Sequence, residues 1–234
     1  MTDQHSKSDP TTDESGASPA TEAAAVLPDD GSGPLFAAAR EHAERNEMPA
    51  AIAAYRQLLT KYPLHVRAHN NLALLLEKKG DTDGALKEFD AALEIEPDNV
   101  SVLCNRAALL SGRLKYDAAE TDLRRALRVD DRNADAWVSL GVVFCRRGRW
   151  REAVEPLGRA VEIDPAQSAA HYYLGEAFNH IDNLPAALAA YEQASHLAPA
   201  NWRAQKGIGI ILDRMGRPAE AALAYQRARE TQRR

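Results

Sequence analysis

The chain has 234 residues, a length typical of one or two globular domains, and a formal net charge of −5 at pH 7. Residues 1–31 hold seven acidic side chains and one basic side chain, so this segment carries −6 and the remaining residues about +1. A nearly neutral body excludes a general nucleic-acid binder, because such proteins need a broad basic surface. Two cysteines are too few for a disulfide framework.

The first 31 residues are rich in Ser, Thr, Asp, Ala, Gly and Pro and contain almost no large apolar side chain. Such a segment cannot offset the entropy of ordering by burial, so we predict a disordered acidic tail at 1–31. It acts either as a solubilising tail or as a regulatory arm that visits a groove of the body. The start of the chain has no signal-peptide pattern, and its apolar runs are too short to span a bilayer, which predicts a cytoplasmic protein without membrane insertion.

Residues 134–167 show the organisation of the body most clearly. Apolar side chains recur there every three or four residues in two series, as on one buried stripe of each of two helices: Trp137, Leu140, Phe144 and then Trp150, Ala153, Leu157, Ala160. Gly148 lies between the series, where a helix can end in a left-handed cap, and Pro165 ends the unit. The unit is therefore predicted to be a helical hairpin.

The same unit recurs along the chain with a period of 34 residues. Three ladders of residues share this step: Ala51, Ala85, Ala119, Ala153, Ala187, Ala221; Ala39, Ala73, Ala107, Gly141, Gly175, Gly209; and Tyr55, Phe89, Leu123, Leu157, Tyr191, Tyr225. A hairpin of this size cannot bury its own apolar face, so the repeats are expected to stack.

This pattern resembles the tetratricopeptide repeat family, over about residues 32 to 234. The resemblance implies an all-α, right-handed α-solenoid of about six helical hairpins that binds other proteins. The predicted repeats are about 32–65, 66–99, 100–133, 134–167, 168–201 and 202–234. In the third repeat, Arg106 occupies the slot of Leu140, and we predict an Arg106–Asp122 ion pair that resembles a common variant of the family.

The sequence contains no recognisable catalytic, metal or cofactor motif, so we predict a protein that is not an enzyme and needs no cofactor or metal. Gly207-Ile208-Gly209 lacks a preceding strand and the third glycine of a dinucleotide loop. His65 and His69 have the spacing of two metal ligands on a helix, but a metal site is not favoured, because His65 follows Pro63 in the inter-repeat turn and a third ligand is missing. His69 is interpreted as a packed residue of its hairpin. The arginines at 146, 147, 149 and 151 indicate either a solvated turn or a contact for an acidic partner or a phosphate.

The inner surface of the stacked first helices is the predicted binding site. We call it the concave groove, and its predicted partner-binding residues are Asn70, Asn71, Leu74, Cys104, Asn105, Ala108, Val138, Val142, Tyr172, Glu176 and Lys206. The middle of this set is apolar and its flanks are polar, as expected of a surface that binds an amphipathic helix or an extended peptide. Alternatively, some of these residues are covered by neighbouring repeats.

Two known binding modes of the family bear on this groove. The clamp with which some members hold an acidic chaperone terminus requires lysines and an arginine that have no match here, although Asn71 or Asn105 fits its middle asparagine. Two asparagines are also too few for the ladders of sugar-transferase arrays. We therefore expect a scaffold or adaptor that binds a peptide or helix of a partner protein; the alternatives are a self-assembling homo-oligomer, or a targeting or accessory subunit of an enzyme or secretion complex.

Overall fold

A computed structural model describes residues 31–233 of the chain. The predicted acidic tail lies outside these residues except for Gly31, and so does Arg234. The regular structure within the described range is entirely helical and forms six consecutive hairpins: α1 Gly33–Glu44 with α2 Met48–Lys61, α3 Val66–Lys79 with α4 Thr82–Ile95, α5 Val100–Gly112 with α6 Tyr116–Val129, α7 Ala134–Arg146 with α8 Trp150–Ile163, α9 Ser168–His180 with α10 Leu184–Leu197, and α11 Trp202–Arg214 with α12 Pro218–Gln232.

Side chains in the turns between repeats cap the N-termini of several first helices. The side-chain oxygens of Asn99 and Asn133 accept hydrogen bonds from the backbone N–H groups of Val102 and Ala136, at 3.1 and 2.9 Å. These contacts satisfy N–H groups that the first turn of a helix leaves without an intrahelical partner. The turns thus define where α5 and α7 start.

The turn inside each hairpin contains one residue with a left-handed backbone, and these residues are also 34 apart: Asn46, Gly80, Leu114, Gly148, Asp182 and Gly216, with φ between 59° and 88°. The left-handed cap predicted at Gly148 is confirmed. Leu114 is an unusual residue at this position, because a left-handed backbone costs a residue with a Cβ atom about 1–2 kcal/mol. The hairpin geometry imposes this conformation whatever residue is present.

The seam between the two helices of each hairpin contains the ladders found in the sequence. All six alanines from Ala51 to Ala221 are completely buried. At Gly141, a Cβ atom would lie 2.4 Å from Cγ of Leu157, so α7 and α8 approach more closely than an alanine would allow. The 34-residue ladders therefore mark helix crossings.

Neighbouring repeats pack so that the helices form a curved stack. The first helix of a repeat contacts the first helix of the next, as α5 contacts α7 and α7 contacts α9, in addition to the contact of each second helix with the following first helix. Elements on the inside of a curved layer approach one another most closely, so the first helices line the concave side and the second helices the back. The predicted α-solenoid is confirmed.

The predicted ion pair across the third hairpin is also confirmed. Arg106 donates from Nε and Nη2 to the two carboxylate oxygens of Asp122, at 2.8 and 2.7 Å. Its remaining nitrogen, Nη1, bonds Asp90 of the preceding repeat at 2.6 Å. Arg106 therefore connects α5 to the second helices on both sides.

Candidate partner-binding groove

The groove residues on α3, α5 and α11 differ in how far they reach solvent. Leu74 and Ile210 are 38% and 37% exposed, which is high for large aliphatic side chains. Ala108 and Lys206 are exposed as well, and Val142 is partly exposed. Leu74, Ala108 and Val142 occupy the same position in three successive repeats and form an apolar strip, which Glu176 interrupts before Ile210.

Three asparagines at the N-terminal end of the groove form one hydrogen-bonded chain. Asn105 donates to Asn70 at 2.9 Å, Asn70 donates to Asn71 at 3.3 Å, and Asn71 donates to the hydroxyl of Tyr55 at 3.0 Å. The chain joins three repeats and fixes the amide orientations. Each amide has further donor or acceptor capacity, which suits contacts to a peptide backbone.

A cavity of about 320 Å³ adjoins this asparagine chain. Arg67, Asn70, Asn71, Asn99 and Ser101 line it together with Val66 and Val102. It lies between α3 and α5, beside the first turns of both helices. Its polar lining with one guanidinium group is suited to a polar or anionic group of a partner.

A second, smaller cavity of about 170 Å³ lies between α5 and α7 in the middle of the groove. Its walls are mainly apolar and include Ala107, Ala108, Val138, Val142 and Val143, and Arg146 lies at its polar side, where it donates to Ser111 at 3.3 Å. A small aliphatic side chain of a partner would fill a space of this size.

The structure corrects the expectation that Val138 is an open groove residue. Val138 is only 9% exposed and packs with Ala160 and Ala170. Since Ala170 belongs to α9, the following repeat covers this side chain. Val138 is a wall of the cavity, and a charge placed there would perturb the joint between two repeats as well as the groove.

Cys104 is likewise half-buried, and it packs against the apolar core. Burial raises the pKa of its thiol to about 11, and nearby acids such as Asp135 act in the same direction. The thiolate is therefore scarce at neutral pH, so Cys104 contributes to the groove as a small apolar surface.

The C-terminal end of the groove is formed by tyrosines around one carboxylate. The buried hydroxyl of Tyr191 donates to Glu176 at 2.7 Å. The rings of Tyr172 and Tyr173 meet edge to face, with 5.2 Å between centroids. Burial and the neighbouring Glu176 raise the pKa of Tyr172 to about 12. Glu176, predicted as a polar group for a partner, is thus already hydrogen-bonded inside the protein.

Two hydroxyl groups that position groove residues were missed in the sequence. Tyr55 and Tyr191 belong to the buried ladder, and each uses its hydroxyl to hold a groove side chain, Asn71 and Glu176 respectively. The sequence did contain a signal for these contacts, because a tyrosine in a buried ladder needs a hydrogen-bond partner for its hydroxyl group. The period alone does not identify that partner.

The histidines singled out in the sequence have structural roles. His65 caps α3 by accepting from the N–H of Ala68 at 3.1 Å. His69 bonds Glu88 at 2.7 Å and the carbonyl of Pro63 at 2.9 Å. His171 lies 102 residues, or three repeats, after His69 and bonds the carbonyl of Pro165 in the same way. A histidine at this position of the first helix therefore connects the helix to the preceding turn.

The arginine cluster around Gly148 is largely paired with acids. Arg147 contacts Asp117 at 2.7 Å and Glu120 at 3.1 Å. Arg149 contacts Glu120 at 3.0 Å, also pairs with Glu152, and lies over the ring of Phe144 at 4.6 Å. The surrounding carboxylates offset the charge of these two arginines, which favours the interpretation as a solvated, ion-paired turn over a phosphate contact.

One further cavity, of about 480 Å³, lies at the hairpin turns of repeats four and five. The rings of Trp150 and His180 stack there, 3.8 Å apart and nearly parallel, beside Arg149, Arg151 and Asp182. This cavity lies at the edge of the stack rather than in the groove. Over residues 31–233, three or more potential metal-ligating side chains do not gather at any point.

The fold defines a class of protein: an α-helical repeat solenoid with a concave inner surface. Family models described as "Tetratricopeptide repeat" match residues 36–100, 104–168, 144–194 and 181–233. These matches cover most of the chain, which therefore belongs to the tetratricopeptide repeat family. None of the helices between Gly33 and Gln232 is long and apolar enough to cross a membrane.

Several solved structures share this fold. A MamA structure is 25% identical, covers 68% of this chain and 92% of its own, and gives a TM-score of 0.63. YrrB, described as a tetratricopeptide repeat protein with an unusual peptide-binding site, is 21% identical, with 76% and 92% covered and a TM-score of 0.63. PilF of Pseudomonas aeruginosa is 18% identical, with 85% and 96% covered and a TM-score of 0.74. No curated protein matches the sequence significantly.

Proposed function

We propose that the protein is a non-enzymatic scaffold or adaptor that holds a peptide or helix of a partner protein in its concave groove. The observation that carries this proposal is the apolar strip of Leu74, Ala108 and Val142, which is exposed or partly exposed on the inner surface of three successive repeats. An exposed apolar strip with polar flanks is typical of surfaces that bind another chain.

The geometry supports two kinds of contact with such a partner. The asparagine chain at one end is suited to hydrogen bonds with a peptide backbone. The 170 Å³ cavity beside Ala108 is suited to a small aliphatic side chain. Together these features support a segment that lies across several repeats, and the peptide-binding site named for YrrB is consistent with this use of the fold.

The test uses Ala108→Glu, because Ala108 is exposed in the groove and glutamate keeps a high helix propensity. Ala189→Glu is the matched control, since Ala189 is exposed in α10 on the back of the solenoid. Both variants are expected to keep their helical circular dichroism. Affinity capture from lysate, followed by titration of the identified protein, should show loss with Ala108→Glu and retention with Ala189→Glu.

Two other outcomes contradict the groove proposal. If both variants hold the same partner equally, the contact lies on another face. If wild type captures only itself and its mass in solution rises with concentration, the protein is a self-assembling array. Capture together with a catalytic or secretion partner would identify that partner and would specify the adaptor as its accessory subunit.

A further inference from the structure

The concave face carries an excess of positive charge. The two groove positions of each first helix continue as Phe36 and Arg40 in α1 and as Lys206 and Ile210 in α11. Positions three residues before and four residues after them lie on the same face of the helix. With these rows included, seven basic side chains face three acidic ones: Arg40, Arg67, Lys78, Arg146, Arg203, Lys206 and Arg214 against Glu44, Asp135 and Glu176. The body as a whole carries only about +1, so the positive charge is concentrated on this side.

The acids of this face already have partners inside the protein. Glu44 pairs with Arg40 at 3.0 Å, Asp135 accepts from the amide of Gln167 at 2.7 Å, and Glu176 accepts from Tyr191. They therefore contribute less to the attraction or repulsion of a bound chain than their number suggests.

Two of the seven cations are paired with acids as well, Arg40 with Glu44 and Arg214 with Asp182 at 2.6 Å, whereas others contact neutral groups. The guanidinium of Arg67 lies over the ring of Phe36 at 5.0 Å, Lys78 donates to Asn46 at 3.1 Å, and Arg203 lies over Trp202 at 5.4 Å. Lys206 is exposed in the groove itself. A concave surface lined by such groups concentrates anions, because its low-dielectric walls focus the field.

The complementary charge lies in the same chain. Residues 1–30 contain the seven acids counted above and the single base Lys7. Their longest apolar run, Ala23–Leu27, stands between Glu22 and the pair Asp29 and Asp30. This order of acids around a short apolar run matches a groove whose apolar strip is flanked by cations.

The length and exit point of this segment allow it to reach the groove. Thirty residues span up to roughly 100 Å when extended, and six helices of about 10 Å diameter side by side span roughly 60 Å. The segment joins the body at Gly31, where a Cβ atom would lie 3.2 Å from the hydroxyl of Tyr62 at the end of α2. Arg67 lies in the first turn of the next helix, at this same edge of the solenoid.

We propose that residues 1–30 bind in the concave groove of their own chain, so that a partner must displace them. This inference rests on the proposed function, because it assigns a regulator to the same groove. Covalent attachment gives the segment an effective concentration on the order of 1 mM, so a dissociation constant of about 100 µM for the separate segment corresponds to about nine-tenths occupancy in the intact chain. The apparent affinity for any competing peptide then falls about tenfold.

The experiment uses the full chain and a fluorescein-labelled synthetic peptide with the sequence of residues 1–30. Wild type is compared with a chain in which all seven acids of the segment are neutralised, by Asp→Asn at 3, 9, 13, 29 and 30 and Glu→Gln at 14 and 22. Fluorescence anisotropy should show about tenfold tighter peptide binding by the neutralised chain, and the binding should weaken strongly between 0.05 and 0.5 M salt.

Charge reversals made in the neutralised chain locate the contact. Arg67→Glu and Lys206→Glu should each weaken peptide binding several-fold. Lys87→Glu and Arg128→Glu introduce the same charge change at exposed positions of α4 and α6 on the back, and should leave binding within twofold.

Three results would overturn the proposal: equal affinities of wild type and the neutralised chain, absence of peptide binding by both, or equal losses from front and back reversals. None of these results bears on the adaptor proposal, which is decided by partner capture with Ala108→Glu and Ala189→Glu. The two proposals can therefore fail separately.

Discussion

Replacing Arg106 by leucine isolates the energetics of the Arg106–Asp122 ion pair across the third hairpin. The carboxylate of Asp122 is 6% exposed and receives two bonds from Arg106, which itself is 22% exposed. Removal of Arg106 leaves this carboxylate buried without its counter-ion, and breaking a buried pair in this way costs about 3–5 kcal/mol. For a chain of this size such a loss lowers the melting temperature by roughly 6–20 °C, at about 2–4 °C per kcal/mol.

The repeats themselves supply the compensating change. Fifth-repeat residues Leu174 and Ala190 occupy the positions of Arg106 and Asp122, and both are buried there. The double variant Arg106→Leu/Asp122→Ala therefore places a pairing already used in this solenoid into the third repeat. We expect it to recover stability to within about 1 kcal/mol of wild type, because replacing both partners by apolar groups removes the unpaired charge.

The assay is thermal and urea unfolding of the wild type, the two single variants and the double variant, followed by helical circular dichroism. Asp122→Ala alone should cost less than Arg106→Leu, since Arg106 keeps its bond to Asp90, whose side chain is 58% exposed. The reasoning is refuted if Arg106→Leu costs less than about 1 kcal/mol, or if the double variant is as unstable as Arg106→Leu.

Three further predictions follow from single contacts. The bond to Glu88 raises the pKa of His69 above 6.5, so it stabilises the fold fully below pH 6.5 and loses this effect as the pH rises through the folded pKa. The difference in unfolding free energy between wild type and His69→Leu should therefore shrink from pH 6 to pH 8, and a difference that widens would contradict this reasoning. Gly141→Ala should lower the free energy of unfolding by about 1–3 kcal/mol, because the added methyl group overpacks the seam. Gly158→Ala, where a Cβ meets no atom within 4 Å, should be neutral or stabilising in the same unfolding experiments. Burial raises the pKa of Cys145 to about 12, so in a Cys104→Ala background this thiol should react with Ellman's reagent at pH 8 only after urea unfolding. Rapid reaction of that folded variant would show that Cys145 is accessible.

The sequence by itself determined the hairpin unit, its period and the residues at each helix crossing. These features are local, since an alanine at one crossing and an apolar residue four positions later bury the same seam in every repeat. The ion pair in the third repeat could also be predicted from the sequence, because Arg106 and Asp122 occupy facing positions of one hairpin. The composition further identified the apolar and polar sections of the inner surface.

The contacts between successive repeats were decided only by the tertiary structure. Val138 occupies the same position as the half-buried Cys104 and the exposed Lys206, yet α9 covers it. Asn105 is likewise hydrogen-bonded to Asn70 of the preceding repeat. A period specifies which positions are equivalent, whereas the side chains of the neighbouring repeat decide how much of each position remains open.

The arginine cluster illustrates the same limit for charge. Its four arginines are close together in the sequence, but Glu120, which pairs with Arg147 and Arg149, lies 27 to 29 residues earlier, in the preceding repeat. Electrostatic pairing depends on distance in space, and stacking brings together charges that belong to neighbouring repeats. The sequence therefore defined the solenoid and its predicted binding side, and the packing of repeat on repeat decided which side chains of that side remain open to solvent.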